Sequence, residues 1–259
     1  MHKNLIIKWY KELDSTNLKA IEELNNSSEG TVWIADYQTA GRGQKGNTWE
    51  SQTSMNLTFT LLLKPFFISP FKQFLISKVA SLGVINYLKL RGIEAKIKWP
   101  NDIYVNDSKI CGMLIEHTIC GDKLSASILG IGFNLNQKSF NSDAPNPTSL
   151  TNITKIDYDT EAELRELLNS IMSIYRELEE GEEQKINEFY REKLYRLNEL
   201  NNYIKIDKDA PVNIPVEKID KGSLIKGEIV GVDEYGCLII KSISGELSSY
   251  AFKEIRYIL

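Results

Sequence analysis

Residues 41–63, GRGQKGNTWESQTSMNLTFTLLL, decide which kind of fold this chain can have. Gly41, Gly43 and Gly46 spell the G-x-G-x-x-G dinucleotide fingerprint. The same glycines fall one residue short of a P-loop, because Asn47 stands where the lysine belongs, ahead of Thr48. Both motifs require a helix directly after the loop, whose N-terminus holds the phosphates. Here the loop leads instead into MNLTFTLLL (55–63), β-branched with period 2, which reads as a strand. The acidic residue due about 20 positions after a dinucleotide loop is also missing, since Phe66 and Phe67 occupy that region. Both familiar nucleotide folds are therefore excluded. A strand–loop–strand segment with three glycines, Arg42 and Lys45 remains able to turn backbone N–H groups and cations toward an anion. An ordinary hairpin tip reads the same way when taken alone.

Outward from this loop, TVWIADY (31–37) is a strand before it, and DSTNLKAIEEL starts a helix capped by Asp14 or Ser15. Residues 71–91 carry a helical stripe from Phe71 to Leu88, with Gly92 as the stop. Three strands are expected at roughly 94–99, 109–118 and 123–132, joined by Asn106-Asp107-Ser108 and Gly121-Asp122 as an antiparallel meander. Residues 139–149 form a polar loop. A helix at 160–181 has Thr160 and Glu163 as a capping box and Gly181 as its end, and a second covers 183–198. After about 200 the texture changes to LIKGEIVGV, GCLIIKSI, ELSSYAF and IRYIL, four short strands suggesting a small β-barrel. The partition is α+β for 1–198 and all-β for 199–259.

Composition narrows the function. With 259 residues and 42% apolar content the chain can bury one good core. A net charge of −4 argues against a general nucleic-acid binder. No run of about 18 apolar residues marks a membrane span, and the N-terminus lacks a signal-peptide pattern. Cys111, Cys120 and Cys237 are scattered without metal spacing, which suits reduced thiols in a cytoplasmic protein. A chain with two histidines argues against a histidine-based metal site, so none is assigned.

Two further clusters change the weight of the glycine loop. In KWPNDIYVNDSKICGMLIE (98–116), Trp99 and Asn101 at a strand end can stack on and hydrogen-bond to a heterocycle. Lys109 opens the next strand and Gly112 permits close approach of a ligand, though a turn, a surface lysine and a core strand fit as well. GIGFNLN (130–136) sets two glycines and two asparagines just after a strand, which also reads as a bulge with amide caps.

In order and spacing, DSTN, QTAGRGQKGNTW, KWPNDI, KICGMLIE and GIGFNLN resemble the biotin–protein ligase family, over nearly the whole chain. The resemblance implies a mixed or antiparallel sheet flanked by helices, of the class II synthetase-like kind, then a small SH3-like barrel. It implies an ATP-dependent biotin–[acetyl-CoA-carboxylase] ligase, usually magnesium-assisted. Biotin becomes biotinyl-5′-AMP, then passes to a lysine of a biotin carboxyl carrier protein. Carried over by position, Ser15, Thr16, Asn17 and Gln38 would line the biotin site, with Arg42, Gly43 and Gln44 in a loop folding over it. Gly41, Trp49, Asn101 and Asn134 would seat the nucleotide. Lys109, beside Gly112, would bridge carboxylate and α-phosphate, with Arg42 as the second catalytic cation. Family loops often carry arginines where Gln44 and Asn47 stand here. Some members add an N-terminal DNA-binding domain, which is not expected here because the pattern begins at residue 14. DNA and membrane are not expected as partners, whereas a homodimer is allowed. The rival readings are a lipoate–protein ligase of the same fold and a non-catalytic biotin-binding module.

Overall fold

The computed structural model describes residues 5–44, 47–141, 146–206 and 223–258. Its larger sheet has seven strands in the order β1-β2-β3-β7-β6-β5-β4. These are β1 (Ile6–Leu13), β2 (Thr31–Gln38), β3 (Leu57–Leu63), β4 (Lys96–Lys98), β5 (Asp102–Val105), β6 (Ser108–Cys120) and β7 (Lys123–Phe133). β1 runs parallel to β2, and the other described pairs are antiparallel, so the sheet is mixed. β3 is buried along its whole length, as expected for a central strand reading LTFTLLL.

One face carries α2 (Phe74–Lys89) and α4 (Thr160–Glu179), with α5 (Glu183–Glu192) alongside. α2 is buried nearly all round because it lies between the sheet and these helices. Gly92 and Gly181 take positive φ where the helices end, as their positions predict. The cap of α4 lies one residue earlier than the expected box. Asp159 accepts from Ala162 N at 2.7 Å, while Glu163 is engaged by Tyr87 and Arg91. The opposite face holds α1 (Thr16–Glu22) over a smaller cluster of Ala20, Trp33, Leu62, Ala126 and Ile128. A short α3 (Leu150–Thr154) comes after the polar loop.

The C-terminal part is a five-stranded antiparallel sheet in the order β11-β10-β9-β8-β12. It comprises β8 (Leu200–Lys205), β9 (Leu224–Val232), β10 (Leu238–Ser242), β11 (Leu247–Tyr250) and β12 (Ile255–Tyr257). β8 is an addition to the four strands expected there. The C-terminal sheet joins the large body closely through β9 and the turn after it: Trp99 Nε1 donates to Gly236 O at 2.8 Å, and Arg191 Nε donates to Val230 O at 2.8 Å. No helix among the described residues is long and apolar enough to cross a membrane.

Candidate active site

The site lies on the α1 face of the sheet, where three small residues leave a hollow. Gly130 and Gly132 are inside β7, not after it, and Gly112 on β6 pairs with Gly132. Facing side chains fill the space that β-carbons would take. A β-carbon on Gly130 would stand 2.2 Å from Asn17 Oδ1, and one on Gly132 would stand 2.2 Å from Trp49 Cε2. Asn17 therefore sits over Gly130, and Trp49 sits over Gly132 and Gly112. The two glycines of β7 are two residues apart, roughly 7 Å along the strand.

Above this floor is a cavity of about 1100 Å³. It is walled by Ser15, Thr16, Asn17, Gln38, Arg42, Gly43, Gln44, Trp49, Asn101, Lys109 and Gly112, and by residues 251–258 from the second sheet. Thus eleven of the thirteen residues chosen from the sequence converge on one space. Gly41 and Asn134 stand outside its lining. Gly41 serves the loop itself, accepting from Trp49 N at 3.0 Å. Asn134 is buried and donates through Nδ2 to Thr148 O at 2.9 Å, tying the end of β7 to the residues before α3. Lys45 and Gly46 of the glycine loop lie outside the described residues; Arg42 and Thr48 on either side form a bridge.

The neutral wall is built at the start of α1. Ser15 is the N-cap by position, yet its hydroxyl makes no capping bond, which leaves it facing the cavity. Thr16 N donates to Gln38 Oε1 at 2.7 Å. Asn17 Nδ2 donates to Leu114 O at 3.2 Å and to Glu116 Oε2 at 2.8 Å.

The cationic part is built on the β4–β6 side. Lys109 Nζ pairs with Asp102 Oδ1 at 2.8 Å and lies 5.6 Å from the Trp49 ring centroid. Register explains the pairing, since Asp102 stands opposite Gly112 and a bulge sets Tyr104 opposite Lys109. Arg42 Nη2 is 3.8 Å from Glu116 Oε1. Lys98 also lines the cavity, 5.0 Å from the Tyr104 ring and 5.1 Å from that of Tyr257; burial lowers its pKa, partly opposed by Asp102. Asn101 is held by Met113, its amide donating to Met113 O. Trp49 Nε1 is buried with no acceptor among the described residues, a donor available to a ligand heterocycle.

Trp99, whose position in the sequence suggests stacking on a heterocycle, also lines the cavity; its indole N–H donates into the second sheet and its ring packs 6.4 Å from that of Phe252. Asp102, Glu116, Lys98 and Arg256 were not singled out from the sequence. Asp102 and Glu116 stood inside the sequence motifs, but only strand register shows which cations they face.

Residues 9–134 match the model of the Biotin/lipoate A/B protein ligase family. Over 133 residues the chain is 38% identical to the bifunctional ligase/repressor BirA of Bacillus spizizenii, covering 50% of this chain and 41% of that protein. Over 231 residues it is 27% identical to the bifunctional ligase/repressor BirA of Escherichia coli, covering 88% and 67%. The structure of biotin protein ligase from Aquifex aeolicus in complex with biotin and ATP superposes with a TM-score of 0.78, at 28% identity, over 98% of this chain and 99% of that one. The match thus spans less than half the length of the Bacillus relative. With the motif order, the mixed sheet and the matched residues in agreement, residues 9–134 form a domain of the biotin/lipoate A/B protein ligase family.

Proposed function

We propose that this chain is an ATP-dependent biotin–protein ligase acting on a biotin carboxyl carrier protein. One observation carries the reading: a single cavity joins a neutral hydrogen-bonding wall over Gly130 to a fixed ammonium and an unpartnered indole N–H over Gly112 and Gly132. That division suits a ligand with a neutral polar head and a carboxylate tail, set against a nucleotide.

The chemistry asks little of the protein beyond placement and charge. A biotin carboxylate oxygen attacks the α-phosphorus of ATP, and pyrophosphate leaves with the electrons of the broken P–O bond. An acceptor lysine, as its free amine, then attacks the acyl carbon; AMP leaves and the amine proton is released. The first step brings two anions together, so its barrier is mainly electrostatic. Lys109, held between Asp102 and the Trp49 ring, offers a positive charge of fixed position. Arg42 offers a second, and Trp49 Nε1 and Asn101 contribute to seating the base. Neither step needs a protein nucleophile, which agrees with a chain holding two histidines.

Magnesium fits as an ion carried on the triphosphate. Among the described residues no three His, Cys, Asp or Glu gather as ligands, and Asp102 is engaged by Lys109. Such an ion needs only one or two protein carboxylates beside phosphate oxygens, and it would neutralise the leaving pyrophosphate. The free thiols of Cys111, Cys120 and Cys237 favour a cytoplasmic location.

The test is to incubate the protein with ATP, magnesium and biotin and detect biotinyl-AMP by mass spectrometry, with lipoate in parallel. A biotinyl adenylate that then labels a carrier-domain lysine supports the reading. A lipoyl adenylate alone would replace it with the lipoate ligase, and biotin binding without any adenylate would leave a binding module.

A further inference from the structure

Beneath the neutral wall lies a residue that touches no ligand space. Thr60, on β3, is fully buried, opposite Gly130 of β7. Its Oγ1 stands 2.8 Å from Thr16 Oγ1 and 2.6 Å from Asn17 Oδ1. A hydroxyl carries one proton, so it can donate in only one of these contacts.

The neighbours decide which. Asn17 Nδ2 faces Leu114 O and the Glu116 carboxylate, both of which only accept. That orients the amide and leaves Asn17 Oδ1, itself an acceptor only, against Thr60. The Thr60 proton must therefore go to Asn17. The Thr16 proton must in turn go to Thr60, since no other proton lies between those two oxygens. Thr16 Oγ1 then shows the cavity lone pairs and no hydrogen. Gln38 uses its Oε1 on Thr16 N, so what it retains for the cavity is its NH₂.

We propose that Thr60 is a positioning residue that sets the polarity of the biotin pocket. Through a one-way chain from Thr16 to Thr60 to Asn17, it makes the Thr16 side chain an obligate acceptor beside the Gln38 donor. An acceptor next to a donor complements an N–H next to a C=O, the edge of a cyclic urea. The proposal rests on the biotin-ligase function and adds to it the source of its selectivity. Without Thr60 the Thr16 hydroxyl can rotate and donate, and the pocket no longer tells N–H from oxygen.

Isothermal titration of the wild type, Thr60→Val and Thr60→Ser tests this, using biotin and the two cyclic carbamates in which one or other ureido N–H is replaced by oxygen. The wild type should prefer biotin over the disfavoured carbamate by at least about tenfold, as an acceptor facing an oxygen loses a hydrogen bond and gains repulsion. Thr60→Ser, which keeps the hydroxyl, should retain that preference. Thr60→Val should weaken biotin roughly 3–10-fold and narrow the preference several-fold, which loss of packing alone would not do. Melting curves identify a variant that fails to fold. In that event the wild-type preference decides, and its absence overturns the proposal. A folded Thr60→Val with unchanged preference overturns the relay while leaving the biotin reading intact. No saturable biotin binding by the wild type overturns both.

Discussion

Replacing Gly132 with alanine probes the floor of the cavity with one carbon atom. The new β-carbon would lie 2.2 Å from Trp49 Cε2 and 2.6 Å from Nε1, where ordinary contact begins at 3.4 Å. The strand cannot yield easily, because Gly132 is paired with Thr58 on one side and Gly112 on the other. Trp49 hangs on a loop, so the indole must move by about 1.2 Å. Overpacking of this kind costs roughly 1–3 kcal/mol, which leaves a stable fold. A misplacement near 1 Å in a group that positions a reactant costs up to about 10²-fold in rate. The expected outcome is a folded protein whose adenylation efficiency toward ATP falls by between about 10- and 100-fold. Gly231→Ala is the control, since its β-carbon would meet only Arg191 atoms at 3.7 Å. The assay is the initial rate of biotinyl-AMP formation over a range of ATP, with a melting curve for each variant. Wild-type efficiency in a folded Gly132→Ala would refute the placement of Trp49 in the nucleotide's path.

Lys109→Gln removes the charge but little length; adenylation should fall by roughly 10²-fold or more, and a rate near wild type would remove Lys109 from the chemistry. His117 is half-buried against Ser127, and its partial burial lowers its pKa from 6.5 to about 4. Below pH 6.5 the unfolded chain takes up a proton that the folded chain refuses, so stability should be lost as pH falls from 6.5 toward 4. In His117→Gln that part of the melting temperature profile should flatten, and an equal slope in both proteins would refute the assignment. Trp99→Phe deletes the hydrogen bond to Gly236 O and leaves that carbonyl without this donor, a loss of roughly 1–3 kcal/mol, visible in denaturant unfolding as a lower midpoint with unchanged slope.

The glycine loop was legible because a fold-deciding helix was plainly missing after it, and the strand read at 55–63 is the fully buried β3. The elements that escaped are those whose signal is weak for a physical reason. β1, IIKWYKEL, is an edge strand with one neighbour, so its side chains alternate little and half-exposed charges interrupt it. β5 is four residues long, and β8 begins Leu-Asn-Asn, which looks like a turn. The site residues were located by motif resemblance, whereas their partners depended on register. Asp102 faces Lys109 through a bulge, and Glu116 reaches Asn17 across 99 positions of sequence. Thr60 read simply as one residue of a strand, because a buried hydroxyl gains its meaning from the two oxygens beside it.

The hydrophobic cluster that holds α2 and α4 to the large sheet also includes Tyr203, Ile229, Leu238, Ile240, Ile255 and Tyr257 of the C-terminal sheet. Two sheets that share one continuous interior cannot come apart without exposing it to water. The chain should therefore melt as one cooperative unit, with coincident loss of tryptophan fluorescence and far-ultraviolet ellipticity. A lesion in the C-terminal sheet would then act at a distance, shortening the lifetime of the large sheet as well as its own.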